Sequence, residues 1–170
     1  MKRRETIRFL TALITITIVS SVGVGIASAD NTKSTNPRVE TARKLNRGLA
    51  GSPMAGLGWI LEREGHRQKV SPYLMAAAAA TESSLGSAPC RSNPKNVWGL
   101  ASCGNSWHVP YFRTWDEAIA FYARFLRSRW PGATSAYSYR GYAACDSCWG
   151  SKTAYHMQRL FGVGPSAAYP

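Results

Sequence analysis

Six carboxylic acids lie between residues 53 and 170: Glu62, Glu64, Glu82, Asp116, Glu117 and Asp146. Of these, Glu82 follows a stretch without a polar face: Tyr73, Leu74, Met75 and five consecutive alanines (76–80). An all-apolar helix of this kind is wrapped by other elements. A carboxyl closing it is disfavoured as an anion by desolvation and by the partial negative charge of the helix C-terminus. Both effects raise its pKa, and a carboxyl that keeps its proton near neutral pH can serve as a general acid. The structural alternative is that Ser83, Ser84 or an arginine satisfies Glu82. The other acids have simpler roles. Thr114-Trp115-Asp116-Glu117 spells a capping box, which accounts for Asp116 and Glu117. Glu62 and Glu64 flank Arg63 and are expected to be solvated. Asp146, between Cys145 and Cys148, is the remaining carboxylate for any paired-acid chemistry.

The elements that must position Glu82 are mainly helical. Ser71 is a helix N-cap and Pro72 fits the first helical position, where a missing N–H costs nothing. Ser52-Pro53 repeats the signal and predicts a helix over 53–64 with Leu57, Ile60 and Leu61 on one face, stopped by Gly65. After the capping box, Trp115, Ala118, Ile119, Tyr122, Phe125 and Leu126 recur at helical spacing, and Pro131-Gly132 ends that helix at Trp130. A short helix around 134–142 and a last one from a Ser151 cap to Phe161, stopped by Gly162, complete the set. Residues 86–110 read as one long loop, rich in Gly, Ser, Asn and Pro, compatible with a small hairpin pairing 96–100 with 107–111.

The 170 residues suffice for one domain with a sizeable core. The chain opens Met1-Lys2-Arg3-Arg4, continues through an apolar run over 9–26, and reaches Ala27-Ser28-Ala29. That is the pattern of a secretory signal peptide cut after Ala29, with a retained membrane anchor as the alternative. Residues 30–51, rich in Asn, Thr, Ser, Lys and Arg, read as a polar linker with room for a short helix over 38–47. Residues 52–170 are the expected domain. The formal charge is +12; residues 1–29 hold four bases and one acid, so +9 remains after their removal. Such a charge favours anionic surfaces without choosing among wall polymers, lipid and nucleic acid.

The four cysteines Cys90, Cys103, Cys145 and Cys148 allow three pairings in an oxidising compartment. The local pairs, Cys90–Cys103 across the loop and Cys145–Cys148 in a tight turn, are favoured. A zinc site would normally carry two short Cys-x-x-Cys knuckles, and only one is present. A redox Cys-x-x-Cys lacks its surrounding βαβ pattern. The histidines His66, His108 and His156 show no metal-ligand spacing, and no metal or cofactor is implied.

Taken in order, these motifs resemble the bacterial glucosaminidases of glycoside hydrolase family 73, within the lysozyme-like superfamily. The resemblance rests on Ser71-Pro72 and Glu82-Ser83-Ser84-Leu85-Gly86, then Asn96-Val97-Trp98-Gly99-Leu100, Phe112 before the capped helix, Gly141-Tyr142-Ala143, and Tyr155 on the last helix. It covers roughly residues 53 to 162. The resemblance implies a lysozyme-like helical fold and an exported peptidoglycan hydrolase that cuts a β-1,4 bond of an N-acetylglucosamine-containing glycan. Glu82 would be the general acid, Tyr142 would line the sugar site near the cleaved bond (or serve as a core aromatic), and Trp98 would stand beside the cleft. The family's aromatic near the acid is replaced by Leu85, and its segment after the tyrosine by Ala143-Ala144-Cys145-Asp146. Lytic transglycosylases share the fold and the Glu-Ser pair, but their downstream Gly-Leu-Met-Gln segment is missing here.

On that reading the rings of Trp98, Trp107, Tyr111, Tyr139 and Trp149 are candidates for stacking on sugars, though each also suits a core. Asn96 could bond an acetamido group or close a turn. Asp146 is the candidate second carboxylate; otherwise the substrate's own N-acetyl group attacks the anomeric carbon and the enzyme supplies Glu82 alone. The expected partner is peptidoglycan or a related glycan, met by a secreted or wall-associated monomer. No nucleic-acid partner is expected, and a membrane is involved only through the signal segment. The rivals are a transglycosylase, a non-catalytic glycan-binding wall module on the same fold, and a basic membrane-active effector. The last is disfavoured by the lack of a strongly amphipathic cationic helix.

Overall fold

In a computed structural model, residues 36–103 and 108–169 are described. The expected signal segment, residues 1–29, and Trp107 lie outside them. The described residues are mainly helical: α1 (Pro37–Leu49), α2 (Gly58–Gln68), α3 (Pro72–Ser83), α4 (Trp115–Arg129) and α5 (Asp146–Phe161), with 3₁₀ turns at Leu100–Cys103 and Ala136–Ser138. No strand occurs among the described residues, so the hairpin is not formed by those of its residues that are described.

The stretch expected to be a polar linker holds α1, a longer helix than the short one allowed for. Asn36 caps it by accepting the Arg38 N–H, Pro37 opens it, and Arg47 reaches back to Glu40 at 3.0 Å. Its polar composition hides a stripe of Thr41, Ala42, Leu45 and Leu49 that enters the core.

The second helix is also shifted from its expected span. Ser52 does cap, but it caps a turn: its Oγ accepts the Met54 N–H at 3.2 Å. The helix begins at Gly58, whose N–H is satisfied from α1 by Asn46 Oδ1 at 2.7 Å. Gly65 does not stop it. A Cβ there would meet the Val70 carbonyl oxygen at 2.7 Å and Pro72 at 3.1 Å, so Gly65 is where the turn into α3 crosses close to α2. Lys69, at φ 55°, provides the left-handed cap instead.

The central helix α3 matches its sequence reading. Ser71 Oγ accepts the Leu74 N–H at 3.4 Å, and residues 72–80 are all buried. Its alanines let α5 and α2 approach closely, and Thr81 meets Thr153 of α5 at 3.2 Å between hydroxyl oxygens. The α4 capping box is complete, with Ala118, Ile119, Tyr122, Ala123 and Leu126 inside. The expected 134–142 helix is a single 3₁₀ turn. The last helix starts five residues before Ser151, because the sulfur of Cys145 acts as its N-cap, and it ends at Gly162 as expected.

Candidate functional site

Glu82 emerges at the last turn of α3, just before the chain reverses through Ser84 and Leu85. Both have left-handed backbone, at φ 51° and 59°. Two consecutive non-glycine residues in that region carry strain of the sort that tends to collect at working sites. The Ser84 N–H donates to the Ala80 carbonyl and the Leu85 N–H to that of Ala79, both at 3.1 Å, which holds the reversal in place.

Around the carboxylate stand Trp149 from α5, Gly99 from the long loop, and Lys152 one turn beyond Trp149. The indole N–H of Trp149 donates to Glu82 Oε1 at 2.7 Å. A Cβ on Gly99, which sits at φ +62°, would lie 3.7 Å from Oε2, so glycine keeps the backbone close and that oxygen uncrowded. Glu82 is solvent-accessible as a residue, yet its carboxyl is partly desolvated against these walls, and the desolvation raises its pKa. The Trp149 hydrogen bond and the Lys152 charge pull in the opposite direction without prevailing.

An aromatic network backs the acid. Trp149 stacks on Tyr142 at 4.3 Å between ring centroids and packs against Tyr139 at 6.0 Å. Tyr122 donates its hydroxyl hydrogen to Tyr142 at 3.1 Å, and Tyr142 donates to the Trp98 carbonyl at 3.4 Å. Burial pushes the Tyr139 phenol up to about 12 and those of Tyr122 and Tyr142 well above their ordinary value, so all three stay neutral donors.

Several expected sugar contacts turn out to be structural. Asn96 is wholly buried and closes the turn around Gly99: Oδ1 accepts the Leu100 N–H at 3.1 Å and Nδ2 donates to the Leu100 carbonyl at 2.9 Å. Trp98 is 1% exposed, donates to the Met75 carbonyl at 2.9 Å and stacks on Tyr122 at 4.2 Å. Neither can touch a ligand without opening the core. Tyr139 is buried as well. Tyr111 is exposed but lines a different hollow, with Arg63, Arg113 and Phe121. Asp146 is exposed at the start of α5, where Oδ1 accepts the Gly141 N–H at 2.7 Å. It lines a hollow with Tyr137, Arg140 and Ser147 that does not include Glu82. The structure therefore gathers Glu82, Tyr142 and Trp149 in one place.

Sequence reasoning missed Lys152 and Gly99 as neighbours of the acid. Of the two roles open to Trp149, sugar platform or core ring, its 4% exposure fits the core, and its bond to Glu82 was not foreseen. The spacing of Trp149 and Lys152, one helical turn apart, was the available signal. Glu62 and Glu64 are corrected too, from solvated to buried. Arg38 grips Glu62 at 2.5 and 3.0 Å, and Glu64 pairs with Arg63 at 3.0 Å and with Arg67.

The long loop is fastened by a Cys90–Cys103 disulfide, and Cys145–Cys148 forms the second bridge. Asn93 adds two bonds, to the Pro110 carbonyl and from the Phe112 N–H. Two disulfides are consistent with an extracytoplasmic location. No helix among the described residues is long and apolar enough to cross a membrane. Nor do any three His, Cys, Asp or Glu among them converge on a metal site. No protein-family model matches the chain, and no curated protein matches its sequence.

Proposed function

We propose that this chain is an exported peptidoglycan hydrolase that cleaves a β-1,4 bond of an N-acetylglucosamine-containing glycan, with Glu82 as general acid. One observation carries the reading. Of the seven carboxylates among the described residues, Glu82 alone is held by neither an arginine nor a backbone N–H of another described residue. Glu40, Glu62, Glu64 and Asp116 pair with arginines, while Glu117 and Asp146 accept backbone N–H groups. A carboxyl with no bonded cation, partly desolvated, is free to hold and deliver a proton. Because Trp149 donates to Oε1, the proton belongs on Oε2, the oxygen facing Gly99. From there it reaches a glycosidic oxygen laid across the open side.

No second carboxylate is bonded into this site among the described residues, since Asp146 is held at Gly141. That favours a mechanism in which the substrate supplies the second group. Attack by the N-acetyl oxygen leads to hydrolysis, and attack by a sugar hydroxyl leads to an anhydro end, the transglycosylase outcome. A charge of +9 after the signal segment draws the protein to an anionic wall. A non-catalytic glycan-binding module would keep the fold and not need Glu82.

The test is mass spectrometry of soluble fragments from purified peptidoglycan treated with residues 30–170, disulfides intact, beside Glu82→Gln. Reducing N-acetylglucosamine ends, lost in the variant, are the expected result. Anhydromuramyl ends would move the reaction to transglycosylation. Folded protein that releases nothing from several wall types would replace the hydrolase with a binding module.

A further inference from the structure

The two disulfides differ in exposure, in reach and in what they hold. Cys145 and Cys148 are exposed, whereas Cys90 is buried at 4%. Their sequence separation is 3, against 13 for Cys90–Cys103, so the shorter bridge removes less entropy from the unfolded chain and contributes less to the stability of the fold. Cys145 is also the N-cap of the sixteen-residue α5, and its Sγ accepts the Cys148 N–H at 3.3 Å. A thiolate at that position is stabilised by this N–H and by the positive end of the helix.

The turn closed by this bridge is the one that carries the aromatic wall of Glu82. Trp149 follows Cys148 directly. Its backbone N–H donates to the Cys145 carbonyl at 2.9 Å and its indole N–H to Glu82 at 2.7 Å. Asp146, inside the bridge, holds the Gly141 N–H at 2.7 Å, and the next residue, Tyr142, stacks on Trp149 at 4.3 Å. The ring bonded to the acid and the ring stacked on it are thus fastened to the same turn.

We propose that the Cys145–Cys148 bridge is a thiol–disulfide exchange site, and that its reaction with an external dithiol loosens Trp149 from Glu82 and from the Tyr142 ring stacked on it. A thiolate of the dithiol attacks Cys148 Sγ, the protein S–S bond breaks, and Cys145 leaves as the helix-capping thiolate. The second thiolate of the dithiol then attacks its own sulfur in the mixed disulfide, releasing Cys148, which takes up a proton. The dithiol is oxidised to a disulfide by two electrons, and the bridge is reduced by the same two. The exchange site stands on geometry alone; its control of glycan cleavage rests on the function proposed above.

The experiment equilibrates the disulfide-intact protein with mixtures of reduced and oxidised dithiothreitol, traps thiols by alkylation and locates them by peptide mass spectrometry. Emission of Trp149, taken as wild type minus Trp149→Phe, and far-ultraviolet circular dichroism are followed in parallel. Cys145–Cys148 should open at a reductant ratio about tenfold lower than Cys90–Cys103, equivalent to about 30 mV. Trp149 emission should change with it while helicity is kept. The double variant Cys145→Ser with Cys148→Ser should show the reduced emission without reductant; should it fail to fold, alkylated wild type carries the same comparison. Opening of both pairs together with loss of helicity would overturn the proposal. So would selective opening with Trp149 emission unmoved. Glycan cleavage should fall several-fold along with the emission change. If neither redox form cleaves glycan, the hydrolase reading fails while the thiol and emission data still decide the exchange site.

Discussion

The carboxylates of α2 and the one at the end of α3 meet a similar problem with opposite answers. Glu62 and Glu64 are buried, with side chains 3% and 5% exposed, and each is held by arginine. Glu82 is more open, yet among the described residues it receives only a neutral indole N–H and the more distant charge of Lys152. Depth therefore does not mark the acid that can work. A guanidinium bonded to a carboxylate offsets the cost of its desolvation. Without such a bond, modest desolvation is enough to raise the pKa of Glu82. The α2 pairs join α2 to α1 through Arg38 and to α4 through Arg63, which also bonds Asp116 at 2.7 Å. They serve architecture.

The sharpest way to break this contrast is to neutralise each kind of carboxylate in turn. On the proposed function, Glu82→Gln lowers glycan cleavage by about 10²–10⁴-fold, while Glu64→Ala leaves cleavage per folded molecule unchanged. Fragment release normalised to folded protein measures both, and equal losses would erase the distinction. Stability should behave in reverse. Glu64→Ala should cost about 2 kcal/mol, from two severed ion-pair hydrogen bonds and a buried void, read as a lower urea midpoint. Glu82→Gln should cost none.

A finer probe is Gly99→Ala. Its methyl would stand 3.7 Å from Glu82 Oε2, on a backbone at φ +62°. Cleavage should drop through kcat, with a stability loss of about 1 kcal/mol from the left-handed alanine. Retention of full kcat would show that substrate does not approach Oε2 from that side.

The smallest effects concern pH. Trp149 and Lys152 both favour the Glu82 anion. Trp149→Phe and Lys152→Met should each raise its pKa further and move the alkaline limb of the cleavage profile to higher pH. A shift to lower pH would contradict the assigned roles. Stability should show the matching sign. Desolvation raises the Glu82 pKa in the folded state above its unfolded value, so its contribution is complete below the unfolded pKa and is lost as pH rises through the folded one. Thermal melts of Glu82→Gln should therefore gain on wild type between acidic and neutral pH.

Much of this architecture was legible in local patterns. Ser71-Pro72 and the alanine run specify α3, and Thr114 with Glu117 specifies α4, because capping and propensity act within a few residues. Where the decisive partner came from elsewhere in the chain, the reading failed. The start of α2 depends on Asn46 from α1, and Gly65 looks like a stop signal only until Pro72 is seen crossing beside it. Helix α1 looks like linker because its four buried positions are diluted by charge. The same holds at the site. Trp98 has the right residue type for binding sugar, but the Met75 carbonyl and the Tyr122 ring hold it in the core, whereas Asn96 closes a local turn, one of the two roles its sequence allowed.

By itself, the sequence determined that the described region would be mainly helical, with an apolar helix ending in Glu82 and local cysteine pairs suited to an oxidising compartment. Those properties follow from short-range periodicity, capping and loop closure. Only the tertiary structure decided which acid was left without a cation, that Trp149 rather than Asp146 is bonded to it, and that the Cys145–Cys148 turn fastens the rings beside it. The partners of Glu62, Asp116 and Glu82 lie dozens of residues away in sequence, and no local pattern encodes them.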